Sequence, residues 1–371
     1  MPDLETEKDQ KIDHLNKKSV EKRKGLNLFE KYLFIWVGIC IAVGIILSQT
    51  LPDISELIDS WQIRGVSIPI AICLFLMMYP AMLNFNVSEL KKLGRDPKPI
   101  ILTLVSNWLV APIVGAFLAS VFLQGNDQLI VAVILLSSSP CTAMVLVWGY
   151  LADGNQEQNV ITTSINTVSI IIGYVPLVSF LTGIQNIPID RVALLISLIV
   201  FIGLPLLLGI ISKRVLTKRK GEDWFDNVYR PIVGTIAMIA LLSTLIILFS
   251  LNGSVLIAHP DMLLLVSIPL LLGFVIVVGY NLLITKITKL RYREAIITVI
   301  IGSSSHFEIA IASAVAIYGV GSMCALGTTM GLFWEVPIML SLVYIGKYLR
   351  SKGFWDTKTI ISKKRSSNEI E

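Results

Sequence analysis

Ten apolar runs, each close to the roughly 20 residues that a helix needs to cross a bilayer, constrain this chain more than any other feature. They are Tyr32–Thr50, Val66–Phe85, Ile100–Leu123, Leu129–Leu151, Val160–Leu181, Val192–Ser212, Ile232–Leu251, Met262–Thr285, Ala295–Tyr318 and Met323–Tyr348. Inside lipid every backbone N–H and C=O must find a partner within the protein, so uninterrupted runs of this length fold as helices. Charged residues make up 15% of the 371 positions, against roughly 25% in a soluble domain. The chain therefore reads as an all-α polytopic membrane protein. It carries no phosphate-binding glycine loop, no HExxH and no nucleophile elbow. Nothing in it points to an enzyme or to a cofactor.

The loops orient the spans. Counted from a cytoplasmic N-terminus, 29 of the 31 Lys and Arg fall in the tails and inside loops, leaving only Arg64 and Arg191 outside. That asymmetry is the positive-inside signature. It predicts ten spans in the plasma (inner) membrane with both termini cytoplasmic. The formal net charge of +5 is then a topology signal and not the footprint of a nucleic-acid partner. Residues 1–30 form a charged tail without the early apolar core of a secretory leader, 31–350 form the membrane domain, and 351–371 form a second cytoplasmic tail. Cys40, Cys73, Cys141 and Cys324 all lie in apolar runs, which argues against a disulfide framework or a CxxC metal site.

Ten spans divide into five and five, and an odd number per half turns the halves in opposite directions. The expectation is two inverted five-helix repeats, one over about 31–182 and the other over about 190–350. The halves echo each other. Segment four is interrupted by Ser137-Ser138-Ser139-Pro140-Cys141-Thr142, and segment nine by Ser303-Ser304-Ser305-His306-Phe307-Glu308. Pro176 follows Ser137 by 39 residues and Pro337 follows Ser303 by 34, each behind a valine. Polar interruptions in corresponding segments of a duplicated membrane protein mark crossed, discontinuous helices and the binding site of a secondary transporter.

The two interruptions differ chemically. Pro140 lacks an N–H and clashes with the preceding turn, so segment four should unwind around Ser138 to Pro140, with a half-helix resuming near Cys141. A thiol on that first turn would be stabilised as thiolate, a soft ligand that favours thiophilic species over hard cations. The hydroxyls of Ser138, Ser139 and Thr142 flank it as candidate substrate contacts, and Cys324 is a weaker candidate for a second ligand. Glu308 is a carboxyl in mid-span, where an acid must pair or take up a proton, and it reads as the proton-exchanging group. Glu335 is a second intramembrane acid; beside Pro337 it either joins the coupling or caps freed backbone donors. Asn166 either braces the unwound backbone or touches substrate. Ser304, Ser305 and His306 shape the second break. His306 and Glu308 are two apart and do not face each other on a helix, so a direct couple between them requires non-helical backbone.

The run Pro140-Cys141-Thr142-Ala143-Met144-Val145-Leu146-Val147-Trp148, continued by Gly149-Tyr150-Leu151-Ala152-Asp153-Gly154-Asn155, resembles the signature of the arsenical-resistance permeases. These are arsenite efflux carriers within the bile acid/arsenite/riboflavin transporter superfamily. Phe307-Glu308-Ile309-Ala310-Ile311-Ala312 and Glu335-Val336-Pro337-Ile338-Met339-Leu340 are similar to further family motifs, and the likeness runs from about Phe29 to Tyr348. The resemblance implies ten spans with helices four and nine broken and crossed, and extrusion of arsenite, often antimonite, in exchange for protons. It implies that Cys141 is the essential metalloid-ligating cysteine and Glu308 the essential membrane glutamate. The chain departs from the family pattern in two places: Ser139 stands where alanine is usual, and Ser305 and His306 stand where one or two asparagines are usual. The alternative is a sodium-coupled symporter of organic anions such as bile acids on the same fold. That alternative leaves Cys141 without a task.

Overall fold

The computed structural model describes residues 32–50, 61–63, 66–83, 97–142, 144–258 and 261–355. The expected tail over 1–30, the basic loop over 91–96, Ala143 and the C-terminal tail from 356 lie outside the described residues. Twelve helices make up nearly all of what is described. They are α1 (Leu33–Thr50), α2 (Ile68–Leu83), α3 (Pro97–Phe122), α4 (Asp127–Ser137), α5 (Val145–Leu151), α6 (Gln156–Ile184) and α7 (Arg191–Lys220) in the first stretch. The rest are α8 (Arg230–Ala258), α9 (Asp261–Ile287), α10 (Tyr292–Gly302), α11 (Phe307–Tyr318) and α12 (Met323–Ser351). A two-residue antiparallel ladder, β1 (Gln62–Ile63) with β2 (Val66–Ser67), precedes α2. Val66, expected to open a span, therefore sits in this ladder and the helix begins at Ile68.

Caps and turns, more than hydropathy, set the ends. Asp190 starts α7 because its carboxylate accepts from the N–H groups of Val192 (2.9 Å) and Ala193 (3.0 Å). Asn155 caps α6 on Gln158 N–H (3.3 Å), and Ser322 caps α12 on Ala325 N–H (3.1 Å). Each satisfies a donor that the first helical turn leaves free. Gly319 ends α11 at φ +85°, a conformation that costs a side-chain-bearing residue more than glycine.

Six helical stretches are long and apolar enough to cross a membrane: Pro97–Phe122, Gln156–Ile184, Arg191–Lys220, Glu222–Gly253, Leu264–Ile287 and Met323–Ser351. The chain is a multi-pass membrane protein. Four further apolar helices are shorter, among them α4 and α11, because segments four and nine are each cut in two.

The helices pack in two groups. One contains α1, α2, α7 and α8, with α8 lying along both α1 and α2. The other contains α3 to α6 and α9 to α12, and it meets the first mainly where α11 packs on α7. Residues 129–136 of α4 and 295–302 of α10 are buried throughout, as are 307–315 of α11. These central helices carry apolar residues on every side, with few polar ones, because they have no lipid-facing side. The outer helices show the opposite pattern, with Val275 69% and Leu264 70% exposed on α9. At one end of the molecule α5 finishes beside the start of α10, where Tyr292 donates to Ala152 O (2.7 Å) and Asn155 N–H to Arg293 O (2.9 Å).

Close packing of α1 on α8 depends on Gly44. A Cβ there would lie 2.7 Å from Phe249 Cβ and 2.9 Å from the Ile246 carbonyl oxygen. Gly44→Val is expected to destabilise the fold by about 1–3 kcal/mol through overpacking. The loss would appear as a lower midpoint in thermal unfolding of the purified protein, and an unchanged midpoint would refute this contact.

Candidate functional site

The two breaks meet. α4 stops at Ser137 and α10 at Gly302, and between the half-helices Pro140 and Ser305 form an isolated antiparallel bridge. His306 N–H donates to Ser139 O at 2.7 Å, and Ser139 Oγ donates to His306 O at 3.3 Å. Backbone at membrane depth is tolerated only where the protein satisfies it. Here each break supplies partners that the other has lost.

Cys141 departs from expectation. The second half of segment four resumes at Val145, so Cys141 and Thr142 lie in the unwound stretch and not on a helical first turn. Pro140 is held extended against Ser305, which delays the helix by several residues. The helix-terminus argument for the Cys141 thiol therefore does not hold. What holds this stretch is Asn166 of α6, whose Nδ2 donates to the Cys141 carbonyl at 3.1 Å and whose Oδ1 accepts from Asn107 Nδ2 at 3.5 Å. Asn166 thus makes the bracing contact to the unwound backbone. Cys141 itself is 2% exposed.

Break nine is braced from α12. Glu335 accepts at Oε1 from Ser304 Oγ (2.5 Å) and at Oε2 from Ser305 Oγ (2.6 Å). Besides these hydroxyls, its carboxylate draws a hydrogen bond from the Ser305 backbone, a donor in the second break. Glu308 sits on the first turn of α11. His306, at the position just before that helix, has the non-helical angles φ −100° and ψ 75°. Its Nδ1 lies 2.8 Å from Glu308 Oε2, so the couple that a helix forbids is made.

Two side chains escaped the sequence reading. Asn281 of α9 donates from Nδ2 to Ser106 Oγ (2.8 Å) and to Ser303 Oγ (3.0 Å), and Ser106 Oγ donates to Gly302 O (2.8 Å). Together they hold the C-terminal end of α10. Ser106 and Asn107 reach the crossing from a π turn over Ser106–Val110 in α3, a distortion common at functional sites. For Ser106 and Asn281 the only signal was a polar residue in an apolar run. Cys324 is not brought to the crossing; its N–H bonds Gln128 Oε1 (3.3 Å) at the far end of α4.

The site keeps spare polar capacity. Ser138 Oγ, Thr142 Oγ1 and His306 Nε2 are buried and have no partner among the described residues. Such atoms are rare in native proteins and mark places where a ligand or water bonds. A cleft beside the crossing is walled by Ser139, Pro140 and Ser303 to Ser305, together with apolar Leu270 and Phe274 of α9. Neither Cys141 nor Glu308 lines it, and its serine hydroxyls are already engaged.

Glu335→Ala would leave two serine hydroxyls without an acceptor, at about 1–3 kcal/mol for each group left buried and unsatisfied. Glu335→Gln keeps one acceptor oxygen. Thermal unfolding is expected to place the Gln variant between wild type and Ala. Equal midpoints for Ala and Gln would remove Glu335 from this role.

Residues 71–259 match the model of the sodium bile acid symporter family. The chain is 35% identical to an arsenical-resistance protein Acr3 of Alkaliphilus metalliredigens, across 90% of this chain and 97% of the relative. It is 29% identical to another Acr3 from Corynebacterium glutamicum, across 93% and 96%. An uncharacterised transporter of Synechocystis sp. is 38% identical across 93% and 94%. With a family match over half its length and relatives similar from end to end, this chain is a membrane transporter, not an enzyme, and belongs to the sodium bile acid symporter family.

Proposed function

We propose that the chain extrudes arsenite, and with it antimonite, from the cytoplasm in exchange for protons. The observation that carries this reading is the bridge between Pro140 and Ser305. It joins the stretch holding Cys141 to the stretch holding Glu308, so a soft ligand and a proton acceptor share one structural unit. The two Acr3 relatives support the substrate. In the same reading the chain makes ten spans as two inverted repeats, 31–182 and 190–350, in the plasma membrane with both termini cytoplasmic. Each break is braced from the long helix that follows it, by Asn166 on α6 and by Glu335 on α12, which supports that repeat.

Trivalent arsenic near neutral pH is mostly an uncharged trihydroxide, so the membrane potential alone cannot drive it. Exchange for a proton supplies the force, since one charge moving inward is worth about 2.3 kcal/mol per 100 mV. Cys141 Sγ ligates the arsenic transiently, and the hydroxyls of Ser138, Ser139 and Thr142 receive its oxygens. Two of those hydroxyls, on Ser138 and Thr142, have no partner among the described residues. A single thiol with weak oxygen neighbours binds loosely enough to release. Glu308 alternates between proton-loaded and proton-free states, with Glu335 holding the break that carries it.

A sodium-coupled organic-anion symporter is favoured by the family's description, and uptake driven by a sodium gradient and indifferent to arsenite would establish it. Under the arsenite reading, everted vesicles take up arsenite in a proton-dependent manner. Cys141→Ser and Glu308→Gln should each abolish that uptake while the protein remains in the membrane. Transport retained by either variant would remove that residue from the mechanism.

A further inference from the structure

Most groups of His306 are engaged in holding the crossing. Its N–H donates to Ser139 O at 2.7 Å and its carbonyl accepts from Ser139 Oγ at 3.3 Å. Ring Nδ1 stands 2.8 Å from Glu308 Oε2, and the residue is fully buried at 0% exposure. Nε2 remains, buried and without a partner among the described residues. Bracing Glu308 needs one ring nitrogen. The second adds a desolvation cost and one capability, which is to take a proton.

We propose that the His306–Glu308 couple, rather than Glu308 alone, is the proton carrier of this chain, with Nε2 as the atom where the proton enters and leaves. This rests on the proton-exchange reading above. With Glu308 ionised and Nδ1–H donating to it, the couple carries one negative charge. A proton added to the Nε2 lone pair gives imidazolium beside carboxylate, and the couple becomes neutral. Passage of the Nδ1 proton to Oε2 leaves the same total. The couple therefore exchanges one proton between two charge states, and its titration belongs to the pair. The proton-free state alone leaves a net charge buried at membrane depth, so proton binding changes how readily the crossing can move.

One titratable group on a neighbouring element acts on this couple: the charge of Glu335 opposes that of Glu308. Glu335 on α12 is held by Ser304 and Ser305, and Cys324, Lys347 and Arg350 lie toward the ends of that helix. α4 brings Asp127 at its far end, and α2 brings Cys73 and Tyr79. α7 carries its basic groups only at Arg191 and from Lys213 onward. Cys141 lies on the facing break. Among the described residues, the ion-pair partner of Glu308 is His306.

The first test needs no arsenite. In a chain with His14→Gln and His259→Gln, nitrogen NMR of labelled histidine in lipid nanodiscs reads His306 alone. Across the pH range in which the nanodiscs and the protein stay intact, Nε2 is expected to gain a proton as pH falls, and Glu308→Gln is expected to displace that step. An imidazole in one unchanged state across the range, or a step indifferent to Glu308→Gln, overturns the proposal. In everted vesicles His306→Asn should lose the step that falls in the same pH range of the arsenite-uptake profile, whereas a profile superimposable on wild type overturns the proposal. Absence of arsenite flux in the unaltered chain would instead overturn the transport reading, because the NMR titration is read without substrate.

Discussion

The hydrogen bond from His306 N–H to Ser139 O organises this protein. A helix broken inside a bilayer exposes donors and acceptors where no water can satisfy them, and one broken helix cannot repair itself. Two breaks placed together can, since a short antiparallel bridge gives each the partners its own helix gave up. The polar side chains around it follow from that need. Asn166 secures the Cys141 carbonyl, Glu335 secures two serines, and Asn281 with Ser106 secures the end of α10.

The bridge also makes the two chemistries interdependent. Ser139 bonds His306 from both its hydroxyl and its carbonyl, and Cys141 lies two residues further on. A shift at the His306–Glu308 couple would pass through that short stretch of backbone to the thiol. Coupling in a carrier needs this kind of shared element, biased from both sides. Glu308 lies on α11, the helix that packs on α7 where the two groups of helices meet. Relative movement of those groups would bear directly on it.

Legibility in the sequence followed the kind of force involved. The apolar runs are local statements about solvent, and six appear as helical stretches long enough to cross a membrane. The polar breaks were legible because serine, proline and glutamate stand out in such runs. The placement of Cys141 was misjudged by one helical turn: proline's effect was read along segment four alone, whereas Ser305 holds the chain extended beyond Pro140. Asn281 and Ser106 went unread because a single polar residue in a span names no partner. For His306 the condition was legible, non-helical backbone two residues before Glu308, but not whether it was met.

By itself the sequence determined a multi-pass all-α membrane chain, the location of its two interruptions, and the chemical inequality between a thiol and an acid. These follow from hydropathy and residue type, which act at each position separately. The tertiary structure decided that the interruptions meet, that Asn166 and Glu335 brace them, and that His306 turns its ring to Glu308. Those outcomes depend on hydrogen-bond partners as many as 167 residues apart. A donor's identity says only that it must be satisfied, and the packing of the whole chain decides by what.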